Sequence, residues 1–202
     1  MKIGIIVGSH RIKSQSAKVA EVAKSFLAVM SKDMHFFSLD LAAKPLPFWD
    51  EGVWSGDAQW KKIWEPISTE LKNCDGFIVV APEYHGMAPA ALKNFFLIAG
   101  KDELAHKPGL IVAVSSARGG SYPVAELRQS SYKNSRITWM PDHVIVRNAE
   151  AVLNGEQVAG EDDAFVRERL RYCLRLLIEY SRALGLVRSS GVVDFKNHPN
   201  GM

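Results

Sequence analysis

The sequence predicts an α/β fold in which helices cover both faces of a five-stranded parallel sheet. Short apolar runs rich in branched side chains alternate along the chain with segments of helical periodicity. The runs are nearly continuous, which is typical of strands that are buried on both faces, as those of parallel sheets are. Parallel strands joined through helices require right-handed crossovers. The 202 residues suffice for a single domain with a core on each face of the sheet.

Strands and helices follow one another in strict alternation in this prediction. The strands are expected at residues 3–7, 34–39, 76–81, 110–114 and 143–147, and the helices at residues 17–32, 58–73, 90–98, 122–134 and 165–184. Prolines and glycines are expected to prevent regular structure in residues 40–57 and to leave a C-terminal tail, residues 187–202. The succession fits a flavodoxin-like three-layer sandwich with the strand order 2-1-3-4-5.

The surfaces of two helices can be predicted from their side chains. In the 90–98 helix, residues 95–98 are consecutive apolar residues that point in every direction, so one face is expected to need cover from another subunit. The last helix carries a run of arginines that is expected to form a solvated face instead of a nucleic-acid patch. These arginines are Arg167, Arg171, Arg175 and Arg182.

Composition and charge exclude several classes of protein. The chain is 47% apolar and 23% charged, which is typical of globular proteins that bury a core. Its net charge is +3, and its basic residues are scattered among acidic ones, which argues against nucleic-acid binding. No apolar run reaches the roughly 20 residues that cross a membrane. The N-terminal apolar run lacks the length and cleavage pattern of a secretory signal, so a cytoplasmic location is expected. Cys74 and Cys173 lie far apart, which predicts two buried thiols and no metal site.

A polar loop follows the first predicted strand and precedes the first predicted helix. Gly8 permits a tight exit from the strand, and Ser9, Ser14 and Ser16 add hydroxyl groups near the free N–H groups of a helix start, where the helix dipole favours an anion. Arg11 adds a permanent positive charge. The loop therefore predicts a phosphate site. The alternative is an ordinary turn in which Ser14 or Ser16 caps the helix.

Two further polar loops follow the third and fourth strands, at residues 82–87 and 115–120. Ligands of open α/β sheets bind outside the carboxyl ends of the strands, near the point where the strand order reverses. The three loops are therefore expected to meet at one crevice. The first loop has neither the lysine of a triphosphate-binding loop nor the glycine pattern of a dinucleotide-binding turn, so a terminal monophosphate is the expected ligand group.

Two motifs in these loops resemble a known family. The first reads Gly8-Ser9-x-Arg11-x-x-Ser14, and the second reads Pro82-Glu83-Tyr84-x-Gly86-x-x-Pro89-x-x-Leu92-Lys93-Asn94. In this order, and at these positions relative to the strands, they are similar to the NADPH-dependent FMN reductase family of flavodoxin-like flavoproteins, which includes quinone, chromate and azo reductases. The similarity extends over roughly residues 1–184.

The resemblance implies a site for FMN, with NADPH or NADH as the reductant. By this resemblance the first loop would hold the phosphate, and the second and third loops would border the flavin ring. The implied cofactor-binding residues are Ser9, Arg11, Ser14, Gln15, Ser16, Pro82, Glu83, Tyr84, His85, Gly86, Ser115, Ser116 and Gly119. Arg118 and Met87 are the implied substrate contacts, Arg118 as a partner for the phosphate of NADPH, with a simply solvated arginine as the alternative. No side chain is implied as a catalytic acid or base.

Three positions depart from the family pattern. Ser16 and His85 stand where the family usually has asparagine, and Met87 stands where it often has serine. A hydroxyl at Ser16 still accepts and donates hydrogen bonds. His85 either contacts the flavin and titrates near neutrality or merely takes the place of the asparagine. Met87 makes the mouth of the crevice more apolar, which bears on substrate preference.

The resemblance implies a reductase that passes hydride from NAD(P)H to FMN and on to a small-molecule acceptor such as a quinone, a flavin or an azo compound. An electron carrier or sensory module that binds FMN without efficient NAD(P)H turnover is the alternative, and a flavin-free protein that binds another phosphorylated metabolite is a third reading. Members of the family commonly assemble through the helix that corresponds to residues 90–98, which implies a homodimer or homotetramer.

Overall fold

The computed structural model describes residues 1–100 and 102–201, which form one parallel sheet with helices on both faces. The strands are β1 (Lys2–Val7), β2 (His35–Asp40), β3 (Gly76–Pro82), β4 (Pro108–Val114), β5 (Thr138–Trp139) and β6 (Val144–Val146). The helices are α1 (Gln15–Met30), α2 (Gly52–Ser55), α3 (Ala58–Lys72), α4 (Ala90–Ile98), α5 (Ser121–Ser130) and α6 (Glu161–Ser189). The order β2-β1-β3-β4-β5, with β6 also paired to β4, confirms the predicted flavodoxin-like fold.

The register of the central strands brings their carboxyl ends to one edge. Ile5 of β1 lies beside Ile78 of β3, and Ile78 lies beside Leu110 of β4. Hydrogen bonds continue past the strand ends, since the N–H of Gly8 donates to the carbonyl of Val80 at 2.9 Å. The loops that leave β1, β3 and β4 therefore start side by side.

The strand predicted at residues 143–147 is present as β6, and a second short strand that was not predicted, β5, precedes it along the same edge of the sheet. β5 pairs with the first two residues of β4, and β6 pairs with the last three. Pro141 lies between the two pieces and has no N–H group to donate to a ladder, which accounts for the interruption.

Two hydrophobic cores lie on the two faces of the sheet. Alternate residues of β3 point to opposite faces, so that Ile78 joins the core under α1 and α6 whereas Phe77 joins the core under α3, α4 and α5. Leu27 and Leu174 bring α1 and α6 into the first core, and Phe95 brings α4 into the second. The sheet is thus covered on both sides, as the continuous apolar strands predict.

Residues 40–57 and the last helix differ from the sequence prediction. Residues 40–57 contain the short helix α2, which ends at Gly56 in the left-handed conformation that favours glycine. α6 extends to Ser189, so the C-terminal segment begins three residues later than predicted. α6 also starts earlier, at Glu161, with acidic side chains in its first turn that suit the helix dipole.

Most of the apolar end of α4 is covered by the chain itself, which leaves only a small part of this helix for the expected cover by another subunit. Phe95, Phe96 and Ile98 are buried, and only Leu97 among these residues is well exposed, at 61%. Phe96 packs edge-on against Trp139, with ring centres 5.8 Å apart. The covering residue comes from the split edge strand, which the sequence pattern of α4 alone cannot reveal.

The prediction that Arg167 is solvated was wrong. Its side chain is buried on α6 and its Nε donates to Asp163 at 2.9 Å, one helical turn earlier. Both thiols are buried and free, as predicted, and burial raises the pKa of Cys74 and of Cys173 to about 11. Among the described residues, none of the helices has the length and apolar character that a bilayer crossing demands.

Candidate flavin site

The three polar loops meet at the carboxyl edge of the sheet. We call them loop A (residues 8–14), loop B (residues 83–89) and loop C (residues 115–120). The hydroxyl groups of Ser9 in loop A and Tyr84 in loop B lie 2.8 Å apart. The carboxylate of Glu83 in loop B accepts a hydrogen bond from the N–H of Gly120 in loop C at 2.6 Å. The predicted meeting of the three loops is therefore confirmed by direct contacts.

Loop A leaves β1 at a position where only glycine fits. A Cβ at Gly8 would lie 2.9 Å from the side chain of Leu92 and 3.0 Å from the carbonyl of Val80. The next residue, Ser9, is fully buried, and its hydroxyl accepts a hydrogen bond from the N–H of Arg11 at 3.0 Å. Ser9 thus braces the loop from below, while the side chain of Arg11 is exposed.

The N-terminus of α1 offers hydrogen-bond donors to an anion. Ser14 is the N-cap, and its Oγ accepts from the N–H of Ala17 at 3.1 Å, so Ser14 and not Ser16 is the capping residue. The capping bond uses a lone pair of the hydroxyl and leaves its proton free to donate. The N–H groups of Gln15 and Ser16 belong to the first turn and have no acceptor within the helix. The cap and the anion site are therefore compatible.

The donors around loop A fit a phosphate group. Two N–H groups of the first turn of α1, the Ser14 hydroxyl and the Arg11 guanidinium all donate, and none of them carries negative charge. The Oε1 atom of Gln15 is buried without a hydrogen-bond partner among the described residues. A buried amide oxygen without a donor is costly, and an incoming ligand with a hydroxyl group would relieve that cost.

Loop B is a tight turn whose backbone explains His85. The N–H groups of Tyr84 and Met87 each donate to the other residue's carbonyl at 3.0 Å. His85 and Gly86 have φ values of 51° and 73°, as a two-residue type I′ turn requires. Asparagine and histidine enter this left-handed region more readily than most residues. The backbone thus supports the interpretation that His85 takes the place of the family's asparagine.

His10 connects loop A to α4, a contact that the sequence analysis missed. Its Nε2 accepts from the N–H of Ala91 at 3.0 Å, and its ring stacks on Tyr84 with centres 6.0 Å apart. Pro89, the N-cap of α4, makes no side-chain capping bond, so His10 supplies the cap from another loop. Only an unprotonated Nε2 can accept this bond. No local sequence signal links residues 81 positions apart.

Glu126 of α5 holds the other side of the α4 start. Its carboxylate accepts from the N–H of Ala88 at 2.6 Å and from the Nζ of Lys93 at 2.5 Å. Burial opposes ionisation of Glu126, but the hydrogen bonds from Lys93 and Ala88 outweigh it and lower the pKa of the carboxyl group. The start of α4 is thus fixed from both sides, next to loop B.

Loop C is packed tightly against loop B and against the segment after β6. A Cβ at Gly119 would lie 2.5 Å from a carboxylate oxygen of Glu83, so a side chain at this position would displace the carboxylate that joins the two loops. The Nε of Arg147 donates to the carbonyl of Arg118 at 2.8 Å and to that of Gly119 at 3.2 Å. Arg147, like His10 and Glu126, was absent from the predicted site. Its contact with loop C forms because β6, which it follows, pairs with β4.

A comparison with family models identifies the chain. The model described as NADPH-dependent FMN reductase matches residues 1–151. The chain belongs to this family. Its membership confirms the predicted FMN-containing, NAD(P)H-dependent reductase and the predicted cofactors.

The names of two curated relatives agree with the family of this FMN reductase, and a solved structure of another protein shares its fold. An FMN-dependent NADPH-azoreductase of Staphylococcus saprophyticus is 28% identical over 129 residues, which are 63% of this chain and 68% of the relative. A 2-hydroxy-1,4-benzoquinone reductase of a Burkholderia species is 28% identical over 57% of this chain and 61% of the relative. The flavoenzyme NAD(P)H:(acceptor) oxidoreductase of Paracoccus denitrificans superposes with a TM-score of 0.72 at 20% identity, over 90% of this chain and 97% of that one. This structural likeness confirms the fold.

The predicted site residues of the FMN reductase divide into two groups by their position. Ser9, Glu83 and Tyr84 make the hydrogen bonds that join the three loops, and Met87 of loop B has 54% of its surface exposed. The side chain of Ser115 forms a hydrogen bond within loop C, in which its Oγ accepts from the N–H of Ala117 at 3.2 Å. The side chains of Ser116 and Arg118 are exposed. Arg118 also lines a separate cavity beside α6.

Proposed function

We propose that the protein binds FMN in the crevice between loops A, B and C and reduces a quinone or azo compound there with NAD(P)H. The observation that carries this proposal is the direct linkage of the three loops around the donor-rich start of α1. When bound, the flavin supplies the hydride chemistry between the nicotinamide and the acceptor, and the protein supplies binding and orientation.

The residues of loop A would hold the phosphate of FMN. The guanidinium of Arg11 and the free N–H groups of Gln15 and Ser16 would donate to its oxygens, and the Ser14 hydroxyl would add one more donor. Ser9 is buried beneath them and keeps loop A in place through Tyr84. Loops B and C would border the flavin ring, chiefly with backbone groups.

The acceptor class is supported by the mouth of the crevice and by the named relatives. Met87 places an exposed, polarizable side chain at the mouth, which suits contact with a flat aromatic molecule. One similar protein is named an azoreductase and another a benzoquinone reductase, and a benzoquinone is a flat, conjugated ring. We therefore place a benzoquinone or an aromatic azo compound in the role of acceptor.

The visible spectrum of the purified protein tests cofactor and reaction together. We expect a yellow protein whose flavin absorbance bleaches rapidly under anaerobic NADPH and returns when benzoquinone or an azo dye is added. A flavin that bleaches slowly or not at all in stopped-flow measurements would instead indicate an electron carrier or sensory module. A colourless protein that fails to bind added FMN would contradict the proposal and favour a flavin-free protein.

The exposed guanidinium of loop A gives a second test. We expect Arg11→Ala to weaken FMN binding by about 1.5–3 kcal/mol, because one charge-assisted hydrogen bond to the phosphate is lost. Titration of the apoprotein with FMN, followed by quenching of flavin fluorescence, measures the change. Lys13→Ala is the matched control, since Lys13 is an exposed cation in the same loop. Equal FMN affinity in the wild type and the Arg11 variant would remove Arg11 from the site.

The assembly and the location belong to the same proposal. We propose a homodimer or homotetramer that meets through residues 90–98, where Leu97 remains exposed after the chain has covered its neighbours. Sedimentation equilibrium of the wild type and of Leu97→Asp would measure the oligomeric state.

All of residues 1–202 are proposed to act as a single FMN-binding domain. A cytoplasmic location stays a prediction.

A further inference from the structure

We propose that a cavity beside loop C binds the adenosine 2′-phosphate end of NADPH. The inference rests on the proposed function, because NADPH is the reductant in that reaction and the cavity would bind the end of NADPH that is far from the nicotinamide. The cavity has a volume of about 540 Å³ and lies between loop C, the segment after β6 and the first turns of α6. Its size is within the range of small-molecule sites.

The cavity carries two guanidinium groups. Arg118 of loop C and Arg147, which follows β6, both line it, and both are exposed. Arg147 is oriented by loop C because its Nε donates to the carbonyls of Arg118 and Gly119. An arginine has five N–H donors, so the terminal amino groups of Arg147 remain for a ligand. Two planar donor groups at one cavity match the geometry and charge of a phosphate monoester.

An aromatic ring lies in the same cavity. Phe165, on the first turn and a half of α6, lines it and exposes 73% of its surface. A phenyl ring that is exposed next to arginines suits stacking with a purine base, because every base has an aromatic face. Asp162 also lines the cavity and can only accept hydrogen bonds when ionised, so it would face a ribose hydroxyl or the amino group of adenine and not the phosphate.

Loop C connects this cavity to the proposed flavin site. The carbonyl of Gly119 accepts from Arg147 on the cavity side, and the N–H of Gly120 donates to Glu83 on the crevice side. A dinucleotide whose nicotinamide lies in the crevice can therefore place its adenosine end in the cavity by crossing one loop. The 2′-phosphate distinguishes NADPH from NADH, so this cavity predicts a preference for NADPH.

Two probe molecules separate the phosphate contact from the base contact. Isothermal titration calorimetry would compare adenosine 2′,5′-bisphosphate with adenosine 5′-monophosphate on the FMN-loaded protein. We expect the bisphosphate to bind about tenfold more tightly or better, and we expect Arg118→Ala to remove most of that advantage. Phe165→Ala should weaken both probes by a similar factor. Arg175→Ala is the control, since Arg175 is exposed on the same helix and outside the cavity.

Steady-state kinetics gives an independent readout. Arg118→Ala should raise KM for NADPH about tenfold or more while KM for NADH stays within about twofold of the wild type. Equal affinities of the two probes in the wild type, or an Arg118→Ala variant that retains the bisphosphate preference, would overturn the inference. If the protein binds the bisphosphate selectively but neither NADPH nor NADH reduces its flavin, the inferred nucleotide site stands. The proposed function is then overturned.

Discussion

Asp163→Ala is expected to lower the free energy of unfolding by about 3–5 kcal/mol, because it leaves a buried guanidinium without its counter-ion. Asp163 is 0% exposed and Arg167 is 2% exposed. The carboxylate accepts from Arg167 at 2.9 Å, from the N–H of Leu153 at 2.7 Å and from the N–H of Ala159 at 2.9 Å. The variant therefore also releases the segment between β6 and α6. Urea unfolding followed by circular dichroism measures the loss.

A matched control and a double variant separate charge burial from helix effects. Asp162→Ala removes a neighbouring acid of the same helical turn, which is exposed, and should change stability by less than about 1 kcal/mol. Asp163→Leu combined with Arg167→Met should be more stable than Asp163→Ala, because no unpaired charge remains. An Asp163→Ala protein that unfolds at the same urea concentration as the wild type would contradict this account.

The same carboxylate predicts how stability depends on pH. Burial opposes ionisation of Asp163, but the hydrogen bonds from Ala159, Leu153 and Arg167 outweigh it and lower its pKa below the usual value of 3.8. A carboxyl group with a lowered pKa in the folded state contributes stability above its unfolded pKa and loses it as the pH falls through the folded one. The difference in stability between wild type and Asp163→Ala should therefore shrink only below about pH 4.

Lys107→Met is expected to cost about 3 kcal/mol or more, because it leaves buried carbonyl groups without a donor. The Nζ of Lys107 donates to the carbonyls of Leu71, Lys72 and Glu103, each at 2.8 Å. Leu71 and Lys72 are the last residues of α3, so the ammonium both caps that helix and interacts favourably with its dipole. Burial lowers the pKa of Lys107 to about 8, and the group is still mainly protonated at pH 7.

Lys72→Met is the control for this prediction. Lys72 pairs with Asp102 at 2.9 Å on the surface, where such a pair contributes about 1 kcal/mol or less. Thermal unfolding of the two variants at pH 7 should therefore give a clearly lower midpoint for Lys107→Met than for Lys72→Met. Similar midpoints would show that the three carbonyl groups find other partners, water included, and would remove Lys107 from the list of groups that stabilise the fold.

Much of the fold could be predicted from local patterns. The branched apolar runs mark the strands because parallel strands are buried on both faces, and the polar loops after three of them mark the crevice because parallel strands share one carboxyl edge. α4 was predicted with its observed limits, since Pro89 marks its start and the apolar run at residues 90–98 marks its length. The family membership was predicted from two motifs whose spacing is set by the same loops.

What escaped prediction depends on contacts between distant residues. Two contacts form only when the sheet brings the loops together. They are the hydrogen bond that the N–H of Gly120 donates to Glu83, and the cap that His10 provides for α4. Asp163 and Arg167 did offer a local signal, since residues four apart share a helix face. Such a spacing also occurs on exposed helix faces, and the other partners of Asp163, the N–H groups of Leu153 and Ala159, come from the segment between β6 and α6.

The split edge strand leaves little backbone for the addition of another strand. β5 has two residues, β6 has three, and Pro141 between them offers no N–H group. A second chain that approached this side of the sheet would meet two short, interrupted rows of hydrogen-bonding groups in place of a continuous ladder. Short strands and prolines at a sheet edge protect against edge-to-edge aggregation, so the growth of fibres from this side of the sheet is disfavoured.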